Sequence, residues 1–335
     1  MWSLYHARLH RHLKEEQWLP PRARILMAVS GGQDSVCLAK LLLDLQPHWQ
    51  WHLAIVHCNH CWRQDSTANA EFVQGLAAQW QLPCEVVTAR EVPTTEAAAR
   101  IWRYQVFREV AHRFNCGHVV TGHTQSDRAE TVLLNLLRGA GGAGLSTLSP
   151  VRTLGDVQVV RPLLHMSRTD TARVCQQQQL AIWQDTTNFD CRYRRNRVRQ
   201  ELMPYLRQHF NANVEAVLAQ TAELLAADQA YFAAEVARLA PLVIRADRPA
   251  LDRDRLRQLP LALQRRLIQS FLEQHLPHGL NFRVVEAVRQ LIDAPNGAQI
   301  STLAGGYSLR VQGHWLQLMA LGAPPSQSAP ADSVG

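Results

Sequence analysis

Hydrophobic and polar residues along the first half of the chain predict strands and helices in turn. Short apolar runs alternate with longer stretches in which apolar residues recur at helical spacing. The predicted strands are residues 25–29, 52–57, 85–88 and 118–121. The predicted helices are residues 2–18, 66–80, 95–114 and 126–137. Such alternation predicts an α/β fold with a doubly wound parallel sheet.

The pattern changes at about residue 211. A long helix rich in Ala, Leu and Glu is predicted to run to about residue 239, followed by two more helices and a short β-meander near Ile300, residues 307–311 and Trp315. We therefore expect a first domain over residues 1–210 and a linker helix with a smaller, mainly helical second domain over residues 211–321. Residues 322–335, rich in Pro, Ser and Ala, predict a disordered tail.

The most informative stretch joins the first predicted strand to its helix. Two glycines there let the backbone turn sharply, and the amides at the start of the helix favour a phosphate group. The stretch reads Ser30, Gly31, Gly32, Gln33, Asp34, Ser35. It lacks the Gly-Lys-Ser/Thr of a Walker A loop. It resembles the PP-loop of the ATP pyrophosphatases, which cleave ATP between the α and β phosphates, so these six residues are expected to bind ATP.

Asp34 has two interpretations. It is an acid in the first turn of a helix, where it would offset the helix dipole. Its place inside the phosphate loop favours a second role, in which it positions ATP and a magnesium ion and takes part in catalysis.

Charge and composition fit a nucleic-acid partner without requiring one. The formal net charge is +7, and 33 of the 35 basic residues are arginines, since lysine occurs only at Lys14 and Lys40. Arginine suits bidentate phosphate contacts and stacking on bases. No apolar run approaches the roughly 20 residues of a membrane span. Seven cysteines do not form a disulfide pattern, and the N-terminal residues do not resemble a secretory signal. We expect a cytoplasmic protein with no membrane association, and a homodimer is an open alternative.

Polar side chains follow the second and fourth predicted strands. In doubly wound sheets, ligands bind at the carboxyl ends of the strands. The second strand is followed by His57, Asn59, His60 and Arg63. Each of these histidines, like His123 after the fourth strand, has the alternative of being a polar residue that caps a strand end.

Asp127 and Glu130 also follow the fourth strand. Their i, i+3 spacing places both carboxylates on one helix face. The alternative is a capping arrangement of Asp127 with Thr124 and a solvated Glu130.

Two sets of arginines are further candidates. Arg100 and Arg103 share a helix face with Glu96 and favour a phosphate or substrate contact over a merely solvated face. The stretch 192–199 contains five arginines in eight residues and favours tRNA or nucleotide phosphate binding, although charged runs are often only solvated. The glycine-rich residues 139–144 predict a mobile gate.

Several stretches together resemble the tRNA(Ile)-lysidine synthetase family. They are the loop at 30–35, His57 to His60 with Arg63, residues 96–100 with Arg103 and Tyr104, residues 127–131, residues 135–139, residues 185–188 and residues 195–199. The resemblance covers about residues 22–210. It departs from the family after the fourth strand, where Thr124 and Ser126 replace a usual histidine and aspartate.

This resemblance implies an ATP- and magnesium-dependent reaction on isoleucine tRNA with a CAU anticodon. The wobble cytidine is first adenylated with release of pyrophosphate, and free L-lysine then displaces AMP. It also implies that the second domain binds tRNA. The residues that it places in catalysis are Asp34, Asp127, Glu130 and Arg100. Those that it places on the substrate or tRNA are His57, Asn59, His60, Arg63, Arg103, Arg192, Arg194, Arg195, Asn196 and Arg199.

Two alternatives stay open. The Cys58-x-x-Cys61 pair is compatible with a PP-loop sulfurtransferase that thiolates tRNA, although a four-thiolate zinc site would need a second such pair. The other alternative is a nucleotide-binding module without catalysis.

Overall fold

The computed structural model describes residues 2–62, 64–184 and 191–320. Arg63, the motif at residues 185–188 and the predicted tail lie outside the described residues. The chain divides into two compact units, Met1–Ala226 and Ala227–Gly335. No helix in the described part of the chain is long and apolar enough to cross a membrane.

The first unit contains a six-stranded sheet with helices on both faces. Its strands are β1 (Arg24–Ala28), β2 (His52–Asn59), β3 (Cys84–Thr88), β4 (His118–Thr121), β5 (Val151–Leu154) and β6 (Val157–Val160). Its helices are α1 (Leu4–Glu16), α2 (Gln33–Trp49), α3 (Ser66–Gln79), α4 (Glu96–Arg113), α5 (Gln125–Leu137), α6 (Gly142–Leu145), α7 (Arg168–Gln177), α8 (Arg194–Arg197) and α9 (Met203–His209), with a π-helical turn at Val198–Leu202. Helix α10 (Val214–Val243) begins here and continues into the second unit.

The strands of this sheet lie in the order β3-β2-β1-β4-β6-β5. The pairs from β3 to β6 are parallel, and only the edge strand β5 is antiparallel. The predicted doubly wound parallel sheet is confirmed. After the exposed Arg24, strand β1 is apolar because both of its faces are covered: Ile25 and Met27 pack on one side, and Leu26 packs on the other with α4.

This strand order indicates where a ligand is expected to bind. The chain winds outward from β1 in one direction through β2 and β3, and in the other through β4 and β6. The crevice between the carboxyl ends of β1 and β4 is therefore the topological switch point, where doubly wound sheets bind ligands. The loop that follows β1 and the start of α5 after β4 meet at this crevice.

Two features of the first unit were not expected from the sequence. Strands β5 and β6 form a hairpin, and α7 follows it. The glycine-rich stretch at 139–144, expected to be a mobile loop, contains the start of the four-residue helix α6. The side-chain amide of Asn135 donates to the backbone carbonyl of Gly144 at 2.7 Å, which ties this stretch to α5.

The second unit has its own apolar core and an antiparallel sheet. Its strands are β7 (Ala250–Asp252), β8 (Gln299–Leu303), β9 (Tyr307–Gln312) and β10 (Trp315–Ala320), in the order β7-β10-β9-β8. Its helices are α11 (Arg253–Arg257), α12 (Leu261–His275) and α13 (Phe282–Gln290). Ile268 and Phe271 of α12 are fully buried against Leu309 and Leu316 of the sheet. The predicted meander is thus the main part of a four-stranded sheet.

Candidate active site

Hydrogen bonds to its own hydroxyls fix the shape of the loop after β1. Ser35 donates to the carbonyl of Gly32 at 2.9 Å, and the amide of Ser30 donates to the Ser35 hydroxyl at 3.1 Å. Gly31 has φ +86°, and a Cβ there would lie 2.5 Å from the Asn69 side chain. The loop therefore needs glycine at this position, and its amides and the start of α2 form a cradle that suits a phosphate.

A second glycine lets the two halves of the site approach. Gly122 follows β4, and a Cβ there would lie 2.9 Å from the backbone of Asp34 and Ser35. Without a side chain at Gly122, the start of α2 comes directly against the segment that leads into α5. This contact is the reason why Asp34 lies near the carboxylates of α5.

Asp127 and Glu130 are both buried on the first turns of α5. Asp127 is the third residue of a capping box: its Oδ2 accepts from the amide and the hydroxyl of Thr124 at 2.9 and 3.0 Å. The alternative in which Asp127 forms a capping box with Thr124 is therefore confirmed. Its Oδ1, however, points to arginines, so the same carboxylate serves the helix and the site.

Three arginines surround these carboxylates. Arg195 lies 2.9 Å from Asp127 and 3.1 Å from Glu130. Arg199 makes a bidentate pair with Glu130 at 2.7 and 2.9 Å. Arg168 lies 2.9 Å from Asp34 Oδ2 and 3.4 Å from Asp127 Oδ1, which joins the phosphate loop to α5. We call the set Asp34, Asp127, Glu130, Arg168, Arg195 and Arg199 the balanced cluster, since three acids face three bases.

The two aspartates of the balanced cluster have opposite electrostatics. For Asp127, burial favours the neutral acid, but Arg195 and Arg168 outweigh it and the pKa is lowered. For Asp34, burial and the nearby Asp127 prevail over Arg168, and the pKa is raised. Asp34 therefore holds its charge at a cost that a bound cation would offset.

Arg168 is the residue that the sequence analysis missed. It is the first residue of α7, directly after the capping residue Ser167. Its neighbour Thr171 donates to Asp34 Oδ1 at 2.5 Å, and Gln33 donates to the Arg168 carbonyl at 2.8 Å. No motif contains Arg168, and it lies 134 residues from Asp34 in the chain. The sequence indicates only the start of α7, through the capping pair Ser167 and Asp170.

A cavity of about 310 Å³ opens beside the balanced cluster. Its lining carries both signs of charge, from Glu130, Glu215, Arg168, Arg199 and Arg207, together with Ser126 and Gln33. Ser126 donates to Glu215 at 2.5 Å, and Arg207 contacts the other oxygen of Glu215. Glu215 therefore brings a carboxylate to the position where Ser126 departs from the family pattern.

The residues expected to follow the second strand make local contacts, and His57 and Asn59 lie within β2 rather than after it. His57 donates to the Val29 carbonyl at 2.8 Å, and Asn59 accepts from the Cys61 amide at 2.9 Å. His60 packs against Trp62 and Trp102. Burial, helped by Arg103, lowers the pKa of His60 to about 4, so this ring is neutral at physiological pH. Burial likewise lowers the pKa of His123 to about 3. Their expected contact with substrate stays a prediction.

The arginine-rich stretch has two faces. Arg195 and Arg199 turn inward to the carboxylates, and Asn196 is buried. Arg192 and Arg194 are exposed. The inward pair, which was expected on the substrate, holds the acids of the site in place, and the outward pair lies at the surface. Contact of either pair with substrate or tRNA stays a prediction.

The predicted Arg100 and Arg103 lie apart from the balanced cluster. Both are on the first turns of α4, where Arg100 lies over the ring of Tyr104 with its Cζ 5.2 Å from the ring centre. Burial lowers the pKa of Arg103. These arginines belong to a second group around Tyr104.

Two family models match the chain. Residues 5–206 match the PP-loop domain, and residues 251–325 match the TilS substrate binding domain. The two matched regions agree with the two units of the structure. The family resemblance drawn from the motifs of residues 22–210 is thereby confirmed, and the second match extends it to residues 251–325.

Curated relatives match along the whole length. The chain is 65% identical over 325 residues to the tRNA(Ile)-lysidine synthase of Thermosynechococcus vestitus, covering 97% of this chain and 94% of that one. It is 46% identical over 328 residues to the tRNA(Ile)-lysidine synthase of Synechocystis, covering 96% and 99%. Among solved structures, the U34-tRNA thiolase NcsA of Methanococcus maripaludis, which has a 4Fe-4S cluster, aligns with a TM-score of 0.55 at 16% identity over 65% of this chain and 78% of that one. That likeness concerns the fold alone.

Proposed function

The chain belongs to the tRNA(Ile)-lysidine synthase family, and we propose that it joins lysine to C2 of the wobble cytidine of isoleucine tRNA with a CAU anticodon. The observation that carries this proposal is Arg168, which bridges Asp34 of the phosphate loop and Asp127 of α5. Through this bridge the ATP-binding loop and the carboxylates face one crevice. The same tRNA is the expected ligand of the second unit, and the cytoplasm is the expected location.

In the first step, the C2 carbonyl oxygen of the cytidine attacks the α-phosphate of ATP. The bond between the α and β phosphates breaks, and pyrophosphate leaves. The amides at residues 31–33 and the start of α2 would hold the departing phosphates, because they are preorganised donors aimed at one point. Arg100 and Arg103, on α4, are instead candidates for contact with a phosphate of the tRNA.

Magnesium is expected to arrive with ATP. Among the residues that the structure describes, no group of three or more His, Cys, Asp or Glu side chains is arranged to hold a metal. A single loop carboxylate, Asp34, nevertheless fits an ion that is shared with phosphate oxygens, which is how Mg²⁺ is usually bound. Such an ion offsets charge that builds on the leaving pyrophosphate. The raised pKa of Asp34 is consistent with a carboxylate that gains from a cation.

In the second step, the ε-amine of lysine attacks C2 and AMP leaves. The amine must first lose a proton, since an ammonium has no lone pair. Lysine carries two ammonium groups and one carboxylate, and the cavity beside the balanced cluster offers both Glu130 and Glu215 as well as Arg168, Arg199 and Arg207. We assign this cavity to lysine, with Asp127 and Glu130 serving the lysine step more than adenylation.

The test is incubation of the protein with the isoleucine tRNA transcript, ATP and labelled lysine. We expect label in the tRNA, with AMP and pyrophosphate in equal amounts, and none with a transcript whose wobble cytidine is replaced by uridine. Release of ADP and phosphate would refute the reaction. Release of pyrophosphate without tRNA would refute the order of steps. A protein that binds ATP without any cleavage would be the non-catalytic module.

A further inference from the structure

Three arginines contact Tyr104 at the carboxyl edge of the sheet, and a fourth, Arg103, directly precedes it in the chain. Arg100 and Arg103 come from the first turns of α4, Arg152 from β5, and Arg161 directly follows β6. Arg161 donates to the Tyr104 hydroxyl at 3.0 Å, and Arg100 does so at 3.5 Å. Arg152 lies over the Tyr104 ring with its Cζ 5.1 Å from the ring centre. We call this set the tyrosine cluster.

The tyrosine cluster lacks the acids that the balanced cluster has. Throughout the described residues, none of its four arginines makes an ion pair with a carboxylate. Glu96 is the acid whose charge acts on Arg103, and it does so without a direct contact. The Nε atoms of Arg103 and Arg161 are buried and have no hydrogen-bond partner in the described part of the chain. Arg161 is only 2% exposed, so its charge is held away from water.

Burying these arginines costs desolvation free energy that a bound anion would offset. A buried cation is normally paired, because desolvation is not otherwise repaid. Burial lowers the pKa of both Arg103 and Arg161, which is the sign of that cost. The Tyr104 oxygen already accepts from two arginines, so its own proton is free to be donated to a further acceptor. Arg152 is exposed at the mouth of the group, which leaves a way in from solvent.

The position favours nucleic acid over ATP as the source of the anion. The ATP phosphates belong at the loop after β1, whereas Arg161 follows β6, two strands away. Adjacent strands lie about 4.8 Å apart, so the two places are separated by roughly 10 Å across the sheet. Arg152 pairs with Val159 beside the end of β6, at the same edge. The charges of Arg161 and Arg195 both lower the pKa of His123, so the tyrosine cluster lies next to the catalytic crevice.

We propose that the tyrosine cluster binds a backbone phosphate of the tRNA strand beside the reacting cytidine, with Arg100, Arg103, Arg152 and Arg161 as cations and the Tyr104 hydroxyl as a neutral donor. This proposal rests on the proposed function, since it takes tRNA as the substrate. It adds Arg152 and Arg161 to the residues that motifs had indicated, and it gives Tyr104 of the motif a role as donor. A phosphate held here would fix the strand while its base enters the crevice.

The test measures binding of the isoleucine tRNA transcript, without ATP or lysine, as a function of salt. Arg152→Gln removes an exposed cation and should leave the fold intact. We expect a dissociation constant raised roughly three- to tenfold at 0.15 M salt and a salt slope reduced by about 0.7 to 0.9. Arg113→Gln, at the other end of α4 and paired with Glu85, is the matched control and should change neither quantity.

Two further measurements separate the alternatives. Tyr104→Phe keeps the ring and should weaken tRNA binding without changing the salt slope, because it removes a donor and no charge. The affinity for a non-hydrolysable ATP analogue should be unchanged in both variants. Unchanged tRNA binding in Arg152→Gln, or a loss of ATP affinity alone, would overturn the proposal. Because the readout is binding, it holds or fails independently of whether the wild-type protein forms lysidine.

Discussion

The first unit contains two groups of arginines that differ in one respect. In the balanced cluster, Arg168, Arg195 and Arg199 face Asp34, Asp127 and Glu130. In the tyrosine cluster, three arginines contact a phenol and Arg103 precedes it in the chain, with no paired acid among the described residues. The contrast shows in the pKa values: although burial opposes it, the acids raise the pKa of Arg168 and Arg195, whereas burial lowers the pKa of Arg103 and Arg161.

The difference indicates two kinds of work. A balanced set is already satisfied, so it fixes the position of its carboxylates and has little charge left for an anion. An unbalanced set has charge in excess and gains from an anion. The same residue type therefore organises the acids in one group and awaits a ligand in the other. A substitution can change the charge of either group, or it can change a residue near one of them.

The largest effect is expected for Asp34→Ala. It removes the carboxylate that links the phosphate loop to Arg168 and to the expected magnesium ion. We expect tRNA-dependent pyrophosphate release to fall by about 1000-fold, the upper range for loss of one preorganised electrostatic group. Asp156→Ala, an exposed acid of the same unit, is the control. A circular dichroism spectrum equal to wild type together with near-normal turnover would remove Asp34 from the mechanism.

The next effect is expected for Glu130→Gln. The change keeps the shape but leaves Arg195 and Arg199 with one acid fewer, so the balanced cluster becomes more like the tyrosine cluster. We expect the lysine concentration for half-maximal rate to rise about 100-fold while AMP transfer to the tRNA survives. Glu223→Gln, at an exposed glutamate near Arg128, is the control. Loss of adenylation itself would place Glu130 on the ATP side.

The outward half of the arginine-rich stretch should have an intermediate effect. Arg192 and Arg194 are exposed, unlike Arg195 and Arg199, which hold carboxylates. Changing both to Gln should flatten the salt dependence of tRNA binding by roughly one unit per lost contact. Binding is followed by fluorescence anisotropy over a salt series, with Arg113→Gln as the control. A slope equal to wild type would assign the two arginines to a solvated surface.

A smaller effect separates the two aspartates of the balanced cluster by pH. The pKa of Asp127 is lowered by folding, so its contribution to stability is present above pH 3.8 and is lost as the pH falls toward the folded pKa. The pKa of Asp34 is raised, so its ionisation lowers stability as the pH rises from 3.8 through the folded pKa.

Asn variants at the two positions test this opposition. Relative to wild type, Asp127→Asn should lose stability as the pH rises from about 3 to about 7, and Asp34→Asn should gain, each by about 1 kcal/mol. The comparison uses only the pH-dependent part, because each substitution also changes hydrogen bonds at every pH. Urea unfolding at a series of pH values measures it. Profiles of the same sign would mean that the two carboxylates share one environment.

Sequence predicted the frame of this molecule better than its contacts. Strands β1, β2 and β4 were found because strands buried on both faces read as apolar runs. The edge strand β3 is only half-buried, and its pair Val86 and Val87 favours a strand. The hairpin of β5 and β6 was missed because it is short and partly exposed, as at Arg152 and Thr153. This omission also hid Arg161, which directly follows β6.

The candidate site was predictable where residues follow neighbouring strands. Asp34 and the α5 carboxylates were expected at one edge because β1 and β4 carry them there. Arg168 and Glu215 reach the site from elements far away in the chain, and no periodicity or spacing encodes such contacts. The inward direction of Arg195 and Arg199 was equally hidden, since a charged run does not reveal which of its members meet an acid.

The smallest effect is expected at Cys58 and Cys61, of which Cys58 lies near Arg103 of the tyrosine cluster. Burial raises the pKa of the Cys58 thiol to about 12 despite the opposing charge of Arg103. A thiolate is the form that binds metals and carries sulfur, so Cys58 is poorly suited to either task at neutral pH. Replacing both cysteines with Ala should leave lysine transfer within about twofold of wild type, because neither thiol is expected to take part in the reaction. Anaerobic purification with metal analysis is the companion measurement, and bound iron or zinc lost in the double variant, together with sulfur transfer to tRNA, would favour the sulfurtransferase instead.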